Sequence, residues 1–218
     1  MPYKSKRKTF SIKLNTQQVT TDLLAYLRFQ KHIFLLATEV ANNGCVSDVL
    51  ALDGKAIVEF EVKISTSDFK KDFEKELVGG TKKSRSHVLK HSSYSQGGSF
   101  EDEDKIFCPH FFYFAVPMII VPFVREYCKD YPNYGIIGWS KDLKNRISTI
   151  KPARLLNNDP PNKLVVRKIL KRATSELIKV RDLLYSNQPG VQESEDYGYD
   201  ILDENSKTTE TTVNDGIK

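Results

Sequence analysis

Residues 45–65, CVSDVLALDGKAIVEFEVKIS, have the pattern of a β-hairpin. Two apolar segments flank Asp53-Gly54, a dipeptide suited to the positive φ angles of a tight turn. Successive side chains of a strand point to opposite faces, so the second segment has an apolar face and a polar face. The apolar face carries Val58, Phe60, Val62 and Ile64, and the polar face carries Glu59, Glu61, Lys63 and Ser65. We expect the apolar face to lie in a core while the other gathers two carboxylates and an ammonium group.

The residues before the hairpin predict a helix and a further strand. Asn15 or Thr16 can cap a helix whose apolar positions follow helical spacing, at Val19, Leu23, Leu24 and Leu27. Residues 32–41 are β-branched and aromatic, which favours a strand, although their first part can also continue the helix. Asn43-Gly44 is a turn signal before the hairpin. The three strands are expected to form a meander.

Beyond the hairpin the pattern alternates between helices and strands. Ser65 can cap a helix with Asp68 in its first turn. Residues 79–104 are rich in glycine, serine and charge and predict a long polar loop with a short helix around 85–94. The remaining predicted elements are a buried strand from 111 ended by Pro117, a short helix at 124–132, a strand at 134–140, a final strand or pair of short strands at 146–156, and a helix at 162–185. This order predicts an α/β fold with one mixed sheet flanked by helices.

Composition favours one globular domain with appendages, since the chain has 218 residues, of which 39% are hydrophobic and 28% charged. We expect a basic disordered arm at 1–9, the domain at 10–185 and an acidic disordered tail at 186–218. No apolar run approaches the ~18 residues of a membrane span, and MPYKSKRKTF lacks the apolar stretch of a signal peptide. Three widely spaced cysteines fit a reducing compartment, so a cytoplasmic location without membrane association is expected.

The net charge of +5 hides an asymmetry along the chain. From Ser186 onward eight acidic residues face two lysines, a net charge of −6, which leaves +11 for residues 1–185. A basic body predicts a polyanion as partner, and the acidic tail is a candidate to recruit a partner or to mimic DNA. A role in solubility alone would explain the same net charges, so charge by itself does not identify a partner.

Asp48 lies in the apolar run of the first hairpin strand. A buried carboxylate is unfavourable there unless it is paired or bound to a metal. Equal offsets from the Asp53-Gly54 turn place Asp48 nearly opposite residues 59–61, so two acids and a lysine converge on one face. Such oxygen ligands suit Mg²⁺ or Mn²⁺, and a lysine beside them can orient or activate a water during attack on phosphorus.

Asp48 and Glu61-Val62-Lys63 resemble the D…(D/E)-x-K signature of the PD-(D/E)XK nuclease superfamily, whose restriction-endonuclease-like core has the order αβββαβ. Further segments resemble its MmcB-like DNA repair subgroup: Ser67-Asp68-Phe69 with Asp72, Lys90-His91 with Tyr94, Phe112-Tyr113-Phe114-Ala115-Val116-Pro117 and Tyr134-Gly135-Ile136-Ile137. The resemblance covers about residues 33–139 and leaves out the C-terminal helix and tail. Ser47 stands where the superfamily name implies a proline.

The resemblance implies a role for each matching residue. Asp48 and Glu61 would be ligands of Mg²⁺ or Mn²⁺, with the backbone carbonyl of Val62 as a further ligand, and Lys63 would be the catalytic lysine. Glu39, on the preceding strand, is either a further acid of the same site or an exposed residue.

Other charged and aromatic residues are expected near these positions or elsewhere on the surface. Lys90, His91 and Tyr94 are candidates either to contact nucleic acid or to support the site. Glu59 shares the face of Glu61 but lacks a lysine two residues on, so it is expected to pair with surface lysines.

These residues predict a Mg²⁺-dependent deoxyribonuclease that hydrolyses phosphodiester bonds in DNA during repair, recombination or phage or host DNA processing, with RNA also open as substrate. The alternative is a catalytically inactive module of the same fold that binds nucleic acid or another protein. Zinc is a weaker alternative, since His87 and His91 have the spacing of two ligands on a helix but the glutamate of a zinc protease motif is missing.

Overall fold

The computed structural model describes residues 15–42, 45–74, 90–95, 107–143 and 146–186. These residues form a six-stranded mixed sheet flanked by helices, which confirms the expected α/β class. The basic arm, the Asn43-Gly44 turn, most of the long polar loop and the acidic tail lie outside the described residues. All six strands belong to a compact unit, Met1–Lys179, and a second unit, Val180–Lys218, begins within the last helix.

The strands lie in the sheet in the order in which they occur in the chain. They are β1 (Leu35–Asn42), β2 (Cys45–Asp53), β3 (Ala56–Val62), β4 (Phe111–Pro117), β5 (Gly135–Trp139) and β6 (Ile147–Lys151). β1, β2 and β3 form the predicted antiparallel meander, β3, β4 and β5 are parallel, and β6 is antiparallel to β5. The hairpin turns at Gly54, whose φ of +58° favours glycine, and its register pairs Leu50 with Glu59.

In the part of the chain that the structure describes, five α-helices complete the fold. They are α1 (Thr16–Ala25), α2 (Thr66–Glu74), α3 (residues 90–95), α4 (Val121–Tyr127) and α5 (Lys163–Ser186). Both predicted N-caps are present, because the Asn15 side chain accepts the Gln18 N–H at 2.8 Å and the Ser65 hydroxyl accepts the Asp68 N–H at 3.1 Å. Among the described residues, no helix has the length and apolar character needed to cross a bilayer.

The strand expected at 32–41 begins later, at Leu35. α1 continues as a π-helical turn through Tyr26–Gln30, and the Ile33 N–H still bonds the carbonyl of Leu27. The first residues of the apolar segment therefore end the helix, as the alternative interpretation of that segment allowed.

Apolar clusters cover both faces of the sheet. On one face, α1 packs Val19 and Leu23 in a cluster with Phe60 and Val62 of β3. Each fully buried side chain of this size contributes about 1.5–3 kcal/mol to folding. The apolar face predicted for β3 is therefore part of the core.

Two further clusters lie on the opposite face. One joins Phe69 of α2 to Phe112 and Phe114 of β4, and the other joins Val165 and Ile169 of α5 to residues of β1, β2 and β3. Strand alternation puts Glu59, Glu61 and Lys63 on this same face. The polar face of β3 is therefore covered by helices, and its glutamates are shielded from solvent.

Candidate functional site

Six charged side chains from four elements meet on the polar face of β3, and we term them the ionic cluster. They are Asp48 of β2, Glu59 and Glu61 of β3, Lys63 directly after β3, Asp72 of α2 and Lys90 of α3. Asp48 is half-buried, whereas the other five expose between 0% and 7% of their surface. Charged groups this deeply buried are rare unless they are paired.

Lys63 is held by carboxylates from two elements. Its Nζ lies 3.3 Å from Oε1 of Glu61 and 2.8 Å from Oδ2 of Asp72. Burial acts to lower the pKa of the Lys63 ammonium, but the charges of Glu61 and Asp72 outweigh it and raise that pKa overall. Lys63 is therefore a cation at neutral pH.

Lys90 reaches the cluster from α3. Its Nζ lies 2.6 Å from Oε1 of Glu59 and 3.0 Å from Oε2 of Glu61. Burial again opposes the charge, but Glu59 and Glu61 raise the pKa of Lys90 overall. The Glu61 carboxylate thus has a lysine on each oxygen, Lys63 on one and Lys90 on the other.

Glu59 is the most fully enclosed carboxylate of the cluster, with 0% exposure. Besides Lys90, it accepts the Ser47 hydroxyl at 2.7 Å and the Tyr94 hydroxyl at 2.5 Å. Glu59 thus has three donors, and hydrogen bonds to a charged acceptor are the strong ones. Glu59 therefore ties β2, β3 and α3 together.

Asp48 sits where the sheet ladder is interrupted. The β1–β2 ladder pairs Thr38 with Val49 and Val40 with Ser47 but omits the pair between them, and the β2–β3 ladder stops at Val49. Oδ2 of Asp48 accepts the backbone N–H of Val62 at 2.7 Å. The side chain thus takes the place of a strand carbonyl at this point.

Two carboxyl groups of the cluster are hard to ionise. Burial, aided by the charge of Glu61, raises the pKa of Asp48 to about 7. Burial also raises the pKa of Asp72 to about 6, despite the attraction of Lys63. The four carboxyl groups outnumber the two lysines, so the cluster gains from any further positive charge, either a proton or a metal cation.

The ionic cluster fits a two-carboxylate metal site. Among the described residues, no three His, Cys, Asp or Glu side chains are grouped closely enough to hold a metal by themselves. Mg²⁺ does not need such a group, because it usually keeps several waters and binds through one or two carboxylates plus substrate phosphate. Asp48 and Glu61 are two such carboxylates, and the charge of Glu61 acts on Asp48.

The structure brings together the three residues of the D…(D/E)-x-K pattern. The charge of Glu61 acts on Asp48, and both acids act on Lys63. Glu39 is placed differently, because its carboxylate is 72% exposed and pairs with Arg172 of α5 at 2.9 Å. Its φ of +49° is unusual for a residue other than glycine and coincides with the interrupted ladder.

Lys90, His91 and Tyr94 lie in the interior, with exposures of 2–3%. Lys90 and Tyr94 bind Glu59, while His91 lies 3.0 Å from the Tyr134 hydroxyl and stacks on the ring of Phe73. Of the two roles weighed for these residues, the geometry favours support of the site over direct contact with nucleic acid.

Two members of the cluster were not assigned to the site from the sequence: Glu59 was expected at the surface, and Asp72 was named only as part of the resemblance. The pairing of Glu59 with surface lysines is wrong, because its lysine is the buried Lys90, which a long connection separates from β3. Asp72 lies three residues after the buried Phe69 and thus on the sheet-facing side of α2. That helical spacing is the signal that could have found it.

Compared with known proteins, the chain matches no family model, no curated protein and no solved structure. The interpretation of the ionic cluster therefore depends on its own contacts and charges.

Proposed function

We propose that the protein is a metal-dependent nuclease that hydrolyses phosphodiester bonds in DNA, with the ionic cluster as its active site. The observation that carries the proposal is the convergence of Asp48, Glu61 and Lys63, from separate positions of one hairpin, in a cluster with an excess of carboxylates. The order of α1, β1–β3, α2 and β4 agrees with the αβββαβ order of a restriction-endonuclease-like core.

Each residue has a distinct part in this proposal. Asp48 and Glu61, with the carbonyl of Val62, would hold Mg²⁺ or Mn²⁺, and the bound ion supplies positive charge at the scissile phosphate. Lys63, kept protonated by Glu61 and Asp72, offers an ammonium group to the negative charge that develops on the phosphate oxygens. Lys90 holds Glu59 and Glu61 in place from α3.

A second candidate function is that of a nucleic-acid-binding module without catalysis. It is favoured by the contacts of Glu61, whose two oxygens are both bound to lysines and whose exposure is only 2%. In that case the ionic cluster serves only to join the sheet to α2 and α3, and the basic body binds nucleic acid by charge.

The decisive variant is Asp48→Asn. The asparagine side chain keeps an oxygen that can accept the Val62 N–H, so the hydrogen bond survives while the charge is removed. Cleavage should be followed on single-stranded, duplex and branched DNA, and on RNA, with Mg²⁺, Mn²⁺ or EDTA. We expect cleavage by the wild type with either metal and a loss of roughly 100-fold or more in the variant, since a metal ligand is lost.

The matched control is Asp53→Asn, the same substitution on the same strand at the exposed hairpin turn. It should cleave like the wild type, because Asp53 is exposed at the end of β2 and takes part in none of the contacts described for the ionic cluster. An Asp48→Asn protein with wild-type cleavage contradicts the proposed site. A wild type that binds DNA in a salt-sensitive way but cleaves none of the substrates favours the binding module.

A further inference from the structure

Three cations lie on one side of α5, within the compact unit Met1–Lys179. Arg167, Lys168 and Lys171 are exposed and line one groove, and none of the described residues that line it is acidic. Arg167 and Lys168 precede Lys171 by four and three residues, so all three are neighbours on the helix surface. Like charges at these spacings repel one another and slightly destabilise a helix, and a bound anion would relieve that repulsion.

The neighbouring Arg172 is a cation of α5 with a structural role. Arg172 lies 2.9 Å from the Glu39 carboxylate and 3.0 Å from that of Glu176, and it also donates to the carbonyl of Thr38. Within the described part of the chain, Arg167, Lys168 and Lys171 form no such ion pair. Their charge is therefore available to a ligand.

The groove adjoins the ionic cluster. Asn42 and Phe107 line the groove, and the same two residues line a small cavity beside Glu59 and Lys90. Phe107 also packs in one apolar cluster with residues of α5. Asn42 and Phe107 thus separate the groove of the three cations from the small cavity that Glu59 lines.

This position has an electrostatic consequence for a phosphate chain. The ionic cluster has more carboxylates than lysines, so by itself it repels a polyanion that approaches. Three uncompensated cations beside it supply the missing attraction. Asn162 also lines the groove; its side-chain oxygen caps α5, and its amide group is of the kind that donates hydrogen bonds to phosphate and sugar oxygens.

We propose that the face of α5 formed by Arg167, Lys168 and Lys171 binds the phosphate backbone of nucleic acid beside the ionic cluster. The choice of nucleic acid as ligand rests on the proposed nuclease function. α5 lies outside the segment that resembles the PD-(D/E)XK superfamily, so this surface is a property of the present chain.

The test uses the full chain with Arg167→Gln, Lys168→Gln and Lys171→Gln combined. Binding to a fluorescently labelled DNA duplex is measured by anisotropy in EDTA, at salt concentrations between about 50 and 200 mM. We expect weaker binding and a slope of log affinity against log salt that is smaller by about three, since each lost phosphate contact removes about one.

The control removes the same charge elsewhere, through Arg125→Gln, Lys151→Gln and Arg154→Gln combined. These residues line an open cleft between α4 and the end of β6 that is also rich in cations. This variant should keep the wild-type salt slope. Equal losses in both triple variants would show an effect of net charge alone and overturn the proposal, as would wild-type binding by the α5 variant.

Binding in EDTA separates this inference from the nuclease proposal. A wild type that binds DNA through α5 but never cleaves it leaves the inference standing and rejects the nuclease. A wild type that cleaves through Asp48 while the α5 variant binds and cleaves normally rejects the inference alone. Absence of salt-sensitive binding to both DNA and RNA overturns the inference, and leaves an acidic protein as the ligand to seek.

Discussion

The carboxyl group of Asp48 is stable in its protonated form to unusually high pH. Burial and the charge of Glu61 raise its pKa to about 7, whereas an unperturbed aspartate titrates near 3.9. Between these values the folded chain binds a proton that the unfolded chain does not. The contribution of the Asp48 carboxyl group to the stability of the folded chain is therefore fully present below about pH 4 and is lost as the pH rises through about 7.

We predict that Asp48→Asn stabilises the protein relative to wild type as the pH rises. Asparagine does not ionise, so the difference in free energy of unfolding should move in favour of the variant by on the order of 2 kcal/mol between pH 5 and pH 8. Urea denaturation of both proteins at the two pH values measures the difference. Parallel pH profiles would show that the Asp48 carboxyl is not perturbed.

In the wild type, a bound metal cation is predicted to offset the loss of stability that comes with ionisation of Asp48. If Asp48 and Glu61 share Mg²⁺ or Mn²⁺, the ion binds the folded chain preferentially and raises the midpoint of thermal unfolding. The rise should be larger at pH 8 than at pH 5, because protons compete with the ion for Asp48. Asp48→Asn should lose most of it, and an equal rise in that variant would assign the effect to another site.

Single residues differ in how far the sequence revealed them. Asp48, Glu61 and Lys63 were predicted to converge because their positions follow from one local feature, the hairpin turn at Gly54. Lys90 was noticed, but its contact with Glu59 was not predicted, because the lysine comes from a helix beyond a long connection. The interrupted ladder at Asp48 has no sequence signal, since it depends on the unusual backbone of Glu39.

At the scale of elements, β3 joins the sheet to the helices on its polar face. α3 is attached to it by Lys90 and Tyr94, both bound to Glu59. These contacts are buried and involve the charged group of Glu59. Removal of a charged partner should therefore weaken the attachment of α3 to the sheet.

We predict that Lys90→Met destabilises the protein by about 3–5 kcal/mol, because it leaves Glu59 and Glu61 with fewer compensating charges. Adding Glu59→Gln should restore part of that loss, since it removes one of the uncompensated carboxylates. Urea denaturation of the two single variants and the double variant gives the coupling energy. Lys129→Met, which breaks the exposed pair with Glu126, should have little effect.

Elements with strong local patterns were predicted within a few residues. The hairpin, the strand that ends at Pro117 and the long helix α5 are examples, because alternation or helical spacing defines each one. The start of β1 was less exact, since the π-helical turn after α1 depends on tertiary packing. The tertiary position of α5 over β1–β3 followed from no pattern at all.

At the scale of the whole molecule, charge is divided between a basic body, residues 1–185, and acidic residues near the C-terminus. The proposed nucleic acid ligand is attracted by the first and repelled by the second. We therefore expect the acidic segment to act against binding at low salt.

We predict that exchanging the eight acidic residues after Ser186 for their amides strengthens DNA binding. They are Glu193, Glu195, Asp196, Asp200, Asp203, Glu204, Glu210 and Asp215. The gain should be several-fold at low salt and should shrink as salt screens the charges. Anisotropy titrations in EDTA measure it, and an unchanged affinity at low salt would show that the acidic segment does not influence the ligand.

The order of the strands bears on how the chain reaches its folded state. Strands that are neighbours in the sheet are also consecutive in the sequence, so each pair of strands is joined by a single connection. The longest of these connections runs from Val62 to Phe111. The entropy lost in closing a loop grows with its length, so we expect the β2–β3 hairpin to form early and the β3–β4 ladder late in refolding. A partly folded chain would then carry Glu59 and Glu61 on its hairpin before Lys90 arrives, and Glu59 stays without its lysine until the last stage of folding.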